Sequence, residues 1–398
     1  MLVGCPDCGT VQLVPALIRR GSLVCRRCAR TLERATGRSL DAALALSAAT
    51  LLLLFPANMM TLFHLSFAGI ERSSRLGSGV FALWQGGWIL LALGVALQGI
   101  LLPFARFGLL TAALAAVRLQ RRDVWPGMAF RWAERLDHWA MPDVFLIGAA
   151  IGYSRVAARL PLQIEAGGWC LILAAFMAML TRGALDRRAT WDAIQRPADI
   201  DGQGATLMCP ACDLVLPADA AGSRCPRCRK RLYDRRPSSL MQTTALIAAG
   251  YLLYPVANWF PMSVDLHFGQ TDQHTILSGV MRLFQAGLWP LGVLIFCTSI
   301  AIPLLKLVGM TWLILGTYHG STRWLVLKTR LYRVIGEIGR WSNVDVFTIA
   351  IFVPLMQING YVSVRAGLGA PAFLAVVVLT MFAVRCFDPR LMWDRARP

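Results

Sequence analysis

Charge is scarce in this chain. Asp, Glu, Lys and Arg make up 16 % of its 398 residues, where a soluble globular domain carries nearer a quarter. Acidic groups are scarcer still, with 22 Asp and Glu against 40 Lys and Arg, a net charge of +18. No G-x4-G-K-[S/T] phosphate loop, H-E-x-x-H metal helix or G-x-S-x-G nucleophile elbow occurs. The five histidines, His64, His138, His267, His274 and His319, fall at no metal-ligand spacing. The chain opens without the basic stretch and long apolar run of a secretory leader, so no cleavage is expected. These absences exclude a nucleotide-driven motor and leave no soluble domain for a catalytic pocket. The chain is expected not to be an enzyme.

What is present is apolar. Hydrophobic residues make up 56 %, mean hydropathy is +0.54, and several runs approach the ~20 residues a membrane-spanning helix needs. The runs repeat. Ser78-Gly79-Val80 with Leu83-Trp84-Gln85-Gly86-Gly87 returns as Ser278-Gly279-Val280 with Leu283-Phe284-Gln285-Ala286-Gly287. Ala57-Asn58, Pro103 and Arg106 return as Ala257-Asn258, Pro303 and Lys306, and Trp139-x3-Asp143-Val144-Phe145 as Trp341-x3-Asp345-Val346-Phe347. Self-similarity at this period means two homologous halves.

In the first half the apolar runs are Leu40–Leu62, Trp84 to about Val117, Met141–Leu160 and Gly167–Leu180. In the second they are Leu240–Met262, Leu288–Gly316, Val344–Tyr361 and Gly367–Val384. The second run of each half is too long for one straight span, and Pro103 and Pro303 are the expected kinks. The predicted fold is an all-α polytopic membrane protein. Two homologous four-helix transmembrane halves are each preceded by a small zinc-ribbon head built on a β-hairpin. The expected divisions are 1–36 (first ribbon), 37–188 (first four spans), 189–236 (linker and second ribbon) and 237–398 (second four spans and basic tail).

Basic residues set the orientation. Arg118, Arg121, Arg122, Arg131 and Arg135 in segment 118–138 match Arg323, Lys328, Arg330, Arg333 and Arg340 in 321–341, whereas the loop 263–275 holds Asp265 and Asp272 with no Lys or Arg and the loop 63–79 is mixed. Both termini and both heads are therefore expected in the cytoplasm. The positive excess is this bias, with attraction to anionic lipid as a by-product, and no nucleic-acid partner is expected. The two basic segments read as interfacial helices, with a solvated connector as the alternative.

Eight of the eleven cysteines form C-x2-C pairs: Cys5/Cys8 with Cys25/Cys28, and Cys209/Cys212 with Cys225/Cys228. Two knuckles can surround one tetrahedral ion. A head this small cannot bury a sufficient core, so a metal must stabilise it. Two structural Zn2+ ions are expected, with iron in a rubredoxin-like site or thiol redox chemistry as alternatives. Cys170, Cys297 and Cys386 lie singly in apolar runs and read as inert.

Ionisable groups inside spans are costly and therefore mark candidate sites. Lys306 has apolar sequence on both sides, and Asp345 lies just inside the start of the next run. The two fall at similar depth, with Ser299, Ser342 and Thr380 extending a polar line. This network reads as a proton or substrate relay, as a static ion pair that fixes helix register, or as Lys306 snorkelling alone. Arg106 and Asp143 are the first-half equivalents, and an arginine is a poor relay because it keeps its proton. Asn58 and Asn258 read as helix-terminus or helix–helix hydrogen-bonding residues.

The doubled arrangement of cysteine head and four spans, with the P-A-N-like, S-G-V…Q-x-G and W-x3-D-V-F motifs, resembles the paraquat-inducible protein A family over essentially the whole chain. The first half departs modestly, with Ala57-Asn58-Met59-Met60 where the second has Ala257-Asn258-Trp259-Phe260-Pro261, and Cys212 lacks a following glycine. The resemblance implies a bacterial inner-membrane protein that handles phospholipid with a periplasmic MCE-domain partner, a hexameric tunnel. The expected function is passage of membrane lipid to or from that tunnel, driven by protons through Lys306 and Asp345. A membrane metal or redox sensor, or a passive anchor for the tunnel, is the alternative.

Overall fold

A computed structural model of the chain describes residues 2–14, 21–35, 39–67, 70–121, 123–157, 161–195, 206–267, 270–355 and 362–396. The first head is two antiparallel hairpins, β1 (Leu2–Gly4) with β2 (Val11–Leu13) and β3 (Gly21–Val24) with β4 (Thr31–Ala35). Each carries one C-x2-C knuckle at its turn. The first half then runs through α1 (Leu40–Met59), β5 (Phe63–Phe67), β6 (Ile70–Ser74), α2 (Leu76–Gln85) and α3 (Ile89–Val95). A π-helical turn over Ala96–Leu101 leads into α4 (Leu102–Arg118), followed by α5 (Trp125–Leu136), α6 (Pro142–Ala157), β7 (Leu162–Ile164), α7 (Ala166–Ala184) and α8 (Arg187–Ile194).

The second half repeats this order. The hairpin β8 (Thr206–Met208) and β9 (Val215–Pro217) of the second head precedes α9 (Ser239–Trp259), β10 (Ser263–His267), β11 (Gln270–His274), α10 (Ile276–Gln285) and α11 (Trp289–Phe296). A π turn at Cys297–Ala301 joins α12 (Ile302–Tyr318). Then come α13 (Leu325–Ile338), a 3-10 turn at Gly339–Asn343, α14 (Val344–Leu355), β12 (Val362–Ala366), α15 (Gly369–Cys386) and α16 (Arg390–Arg395). On the side away from the heads each half folds a three-stranded antiparallel sheet, in order β6-β5-β7 and β11-β10-β12.

Among the described residues six helices are long and apolar enough to cross a membrane: Leu40–Met59, Ile89–Arg118, Ala166–Ala184 and their counterparts Ser239–Trp259, Trp289–Tyr318 and Gly369–Cys386. The third run of each half is shorter, 16 residues in α6 and 12 in α14. The ends expected at Leu160 and Tyr361 lie outside the described residues. These two helices pack on each other at the centre of the molecule. A side chain at Gly148 would meet Phe347 Cβ at 2.8 Å and the Val344 carbonyl at 3.0 Å, and Thr348 donates to the Gly148 carbonyl at 3.2 Å. The core is built on this contact, with Val144, Phe145, Val344 and Phe347 all buried.

The long second runs differ from the expectation of one kinked helix. Trp84 belongs to the separate helix α2, and Gly87 (φ +81°) with its counterpart Gly287 (φ +76°) turns the chain before the span begins. The span itself is 30 residues, or roughly 45 Å at helical rise. Its irregularity precedes the proline: Leu102 donates to the Leu97 carbonyl and Ile302 to that of Cys297, each five residues back. The ring of Pro103 or Pro303 cannot serve an i−4 carbonyl, and the wider turn absorbs that loss. Such π turns recur where a helix carries function. Here they bury Gln98 in one half and Thr298 and Ser299 in the other.

Asn58 and Asn258 act at their own helix ends, donating to the carbonyls of Leu54 and Tyr254. The basic segments 118–138 and 321–341 hold the amphipathic helices α5 and α13. The buried face of α5 carries Ala129, Phe130 and Ala133, while Trp125, Met128 and Trp132 are exposed.

Candidate functional site

The four sulfurs of each head lie within 4.8 Å of one another and are buried. The closest approaches are 3.5 Å between Cys5 and Cys28, and 3.6 Å for Cys8–Cys25, Cys209–Cys228 and Cys212–Cys225. A tetrahedron with metal–sulfur bonds of about 2.3 Å has edges of about 3.8 Å, so the cradles fit one ion each. Their turns share a mechanism: the residue after each second cysteine is left-handed, Gly9 (φ +72°), Ala29 (+54°), Asp213 (+56°) and Arg229 (+58°). Its N–H returns to the carbonyl of the first cysteine.

The thiols perturb one another through their mutual hydrogen bonds. Hydrogen bonding to Cys28 pushes the Cys5 thiol far above the ordinary thiol range, while the same neighbour pulls Cys8 far below it. In the second head Cys209 raises Cys212 and lowers Cys225. Four adjacent thiolates need a cation to ionise together.

Each head packs under the opposite half. The first-head cysteines share an apolar cluster with Leu240, Leu307, Ile335 and Trp393 of the second half. The second-head cysteines share one with Ala43, Leu110, Phe130 and Trp191 of the first. Arg333 of α13 donates to the Cys28 carbonyl at 2.9 Å, and Arg131 of α5 donates to the Cys228 carbonyl at 2.7 Å. The two arginines are 202 residues apart, like Trp139 and Trp341. In the sequence they count only as topology-setting charge. Their identical place in the repeat is the signal that could have singled them out.

The intramembrane site sits where α12, α15 and the 3-10 turn meet. Lys306 is 1 % exposed, and its Nζ donates to Thr380 Oγ1 at 3.3 Å. Thr380 also bonds back to the Val376 and Val377 carbonyls, both at 2.9 Å. Ser299, on the π turn, donates to Asp345 Oδ2. Among the described residues no direct Lys306–Asp345 ion pair is seen, and each of the two charges has a hydroxyl as one of its partners. The turn lies against the lysine: a Cβ at Gly339 would meet Lys306 Cε at 3.4 Å, an ordinary contact distance. Ser342 is buried in that turn, and its hydroxyl has no hydrogen-bond partner among the described residues.

The first half fills the same places differently. Its repeat offset is 200 residues through the long span and 202 after it: Gly167 donates to the Thr61 carbonyl as Gly369 does to that of Pro261. On that register Gly99, Ala140 and Ala178 stand where the second half has Ser299, Ser342 and Thr380, and Asp137 stands where it has Gly339. Arg106, 3 % exposed, pairs with Asp137. Arg182 joins Asp137 at 3.0 Å to Asp143 at 2.7 Å. Burial alone would raise the Asp137 carboxyl, but Arg106 and Arg182 hold it down to about 2. From the second half's turn, Arg340 approaches Asp143 at 3.7 Å, so the two polar centres are neighbours.

The family described as Paraquat-inducible protein A matches residues 40–195 and 240–397. The Intermembrane transport protein PqiA of Escherichia coli (strain K12) is 30 % identical over 404 residues, covering 98 % of this chain and 95 % of that protein. The Lipophilic envelope-spanning tunnel protein A of the same organism is 30 % identical over 400 residues, covering 98 % and 90 %. A Probable intermembrane transport protein of Haemophilus influenzae is 24 % identical over 401 residues, covering 98 % and 95 %. No solved structure matches the chain.

Proposed function

The chain belongs to the paraquat-inducible protein A family, and from that premise we propose that it passes phospholipid to or from a periplasmic tunnel of MCE-domain protein. The observation that carries this reading is the near-complete match to relatives named for intermembrane transport and for an envelope-spanning lipophilic tunnel. It resides in the bacterial inner membrane with both termini and both heads in the cytoplasm, as the basic α5 and α13 on the head side support. It catalyses no covalent reaction. Each head holds one structural Zn2+, which four thiolates and a tetrahedral cradle favour over harder cations.

Lipid movement is coupled to protons at the second-half centre. Lys306 and Asp345 each have a hydroxyl beside them, so protonation of Asp345 would remove its charge, turn it into a donor as well as an acceptor toward Ser299, and shift the balance between two packings of the turn at Gly339–Asn343. The buried Ser342 hydroxyl lies between the two charges along the chain and is available to the relay. An isolated lysine in an apolar span is costly, and a passive anchor gives no reason to keep it.

Purification from native membrane, with mass spectrometry of bound protein and lipid and elemental analysis, tests the proposal. An MCE-domain protein, phospholipid and close to two zinc per chain are expected, with one zinc lost in Cys5→Ser/Cys8→Ser. Metal without either lipid or partner would favour the sensor reading instead.

A further inference from the structure

The crosswise seating of the heads gives them a task beyond stabilising their own hairpins. The first head precedes the first half in the chain, yet its knuckles are held by α13 of the second. Arg333 donates to Asp7 at 2.6 Å, to the Cys28 carbonyl at 2.9 Å and to the Cys28 sulfur at 3.3 Å. Asp7 is buried and also pairs with Arg30 across the knuckles. On the other side of the head, Arg27 stacks on Trp393 at 4.6 Å, and Trp393 donates to Thr329 of α13 at 3.1 Å.

All three Arg333 acceptors named above are fixed only when the knuckles are closed. Asp7 and Cys28 lie on different hairpins, 21 residues apart in sequence, and four thiolates closing on an ion are what draw those hairpins together. A donor reaching a ligand sulfur and carbonyl is the ordinary outer partner of a metal site. Here that partner belongs to a helix that ends in the 3-10 turn. Gly339 of this turn lies against Lys306, and Arg340 reaches Asp143 of the first half.

We infer that the two heads are crosswise, metal-dependent clamps. Metal in the first head holds α13 through Arg333 and so sets the rigidity of the turn against Lys306, while metal in the second head holds α5 and α8 through Arg131 and Arg187. In the second clamp Arg187 joins Glu134 of α5 to Asp213 and the Ala211 carbonyl of the head. The α5 backbone also touches the head directly: a side chain at Gly127 would meet the Arg227 carbonyl at 2.1 Å. This inference goes beyond the transport reading and does not depend on the cargo.

Hydrogen exchange on the full chain in detergent, read by mass spectrometry, tests it. Cys5→Ser/Cys8→Ser should speed exchange roughly tenfold or more in 325–343 and 390–395 of the second half, leaving 125–136 and 187–194 unchanged. Arg333→Ala, which retains all eight cysteines, should reproduce that pattern with both metals still bound, and Arg333→Lys should restore part of the protection. Cys209→Ser/Cys212→Ser should give the mirror result, exposing 125–136 and 187–194 alone. Faster exchange confined to the half that follows the altered head, or Arg333→Ala protein with unchanged exchange in 325–343, would overturn the inference.

Discussion

The two halves share a backbone order and differ in what they bury at the same depth. In the first, Arg106 is locked by Asp137, Arg182 completes the link to Asp143, and the three hydroxyl positions are Gly99, Ala140 and Ala178. In the second, the cation is Lys306, the counter-ion position is Gly339, and hydroxyls occupy all three places. One half is built as a charge-balanced strut, whose arginines keep their protons. The other sets a lysine against a threonine and an aspartate against a serine, groups able to exchange protons. On the proposed function, such divergence of the repeat would make the first half the fixed one and the second the working one, the two meeting at α6 and α14.

The largest effect should come from breaking the strut. Asp137→Ala leaves the buried Arg106 without its counter-ion and should destabilise the protein by about 3–5 kcal/mol, seen as a fall in thermal unfolding temperature in detergent. Lys306→Met at the matching position removes a buried charge and keeps an apolar stem, so its stability should stay within about 1.5 kcal/mol of the parent while lipid transfer is lost. Equal destabilisation by both changes would mean that the halves do not differ in kind.

Converting one half into the other comes next. Gly339→Asp copies the first half's counter-ion beside Lys306, whose Nζ lies 3.8 Å from where the new Cβ would stand. It should preserve folding and reduce reconstituted lipid transfer by a factor of ten or more, the equivalent of about 1.4 kcal/mol. Thr380→Ala removes the acceptor of the Lys306 ammonium and should cost about 1–3 kcal/mol by the same unfolding measurement. Thr380→Ser should recover most of that loss.

The smallest effect is the pH dependence that His138 brings to the first half. Burial, reinforced by Arg385, lowers His138 to about 4, and its second-half counterpart is Arg340. A base whose folded pKa lies below its unfolded value contributes stability that is complete above about 6.5 and lost as the pH falls through about 4. Asp137, held at about 2, contributes above about 4 and loses that contribution only as the pH falls through about 2. His138→Gln should therefore flatten the unfolding-temperature profile between pH 6.5 and 4 and leave the steeper acid limb in place.

Much of this architecture is legible in the residues. The repeat, the two cysteine heads and the isolated Lys306 follow from spacing and from the cost of charge in apolar runs. The crosswise seating is not legible, because Arg333 and Cys28 lie 305 residues apart and nothing local states which half a head will choose. The π turns escaped for a different reason: a proline in an apolar run signals a kink, while the compensating wide turn before it has no composition of its own. The Arg106–Asp137 pair is hidden by the return of α5 against α4, which brings a residue of the second apolar run against one of the basic segment 118–138. That Gly339 replaces Asp137 can be read once the offset of 202 is adopted, but its meaning appears only when the turn is seen against Lys306.

The most direct test is lipid transfer by Asp345→Asn protein, measured with the proposed MCE-domain tunnel under an imposed proton gradient. Asparagine keeps the size of the side chain and an acceptor for Ser299 but cannot titrate. Expected is a variant that inserts, carries both metals, melts within a few degrees of the parent and fails to transfer lipid. Transfer at the parental rate by that folded, metal-loaded variant would contradict proton coupling through Asp345.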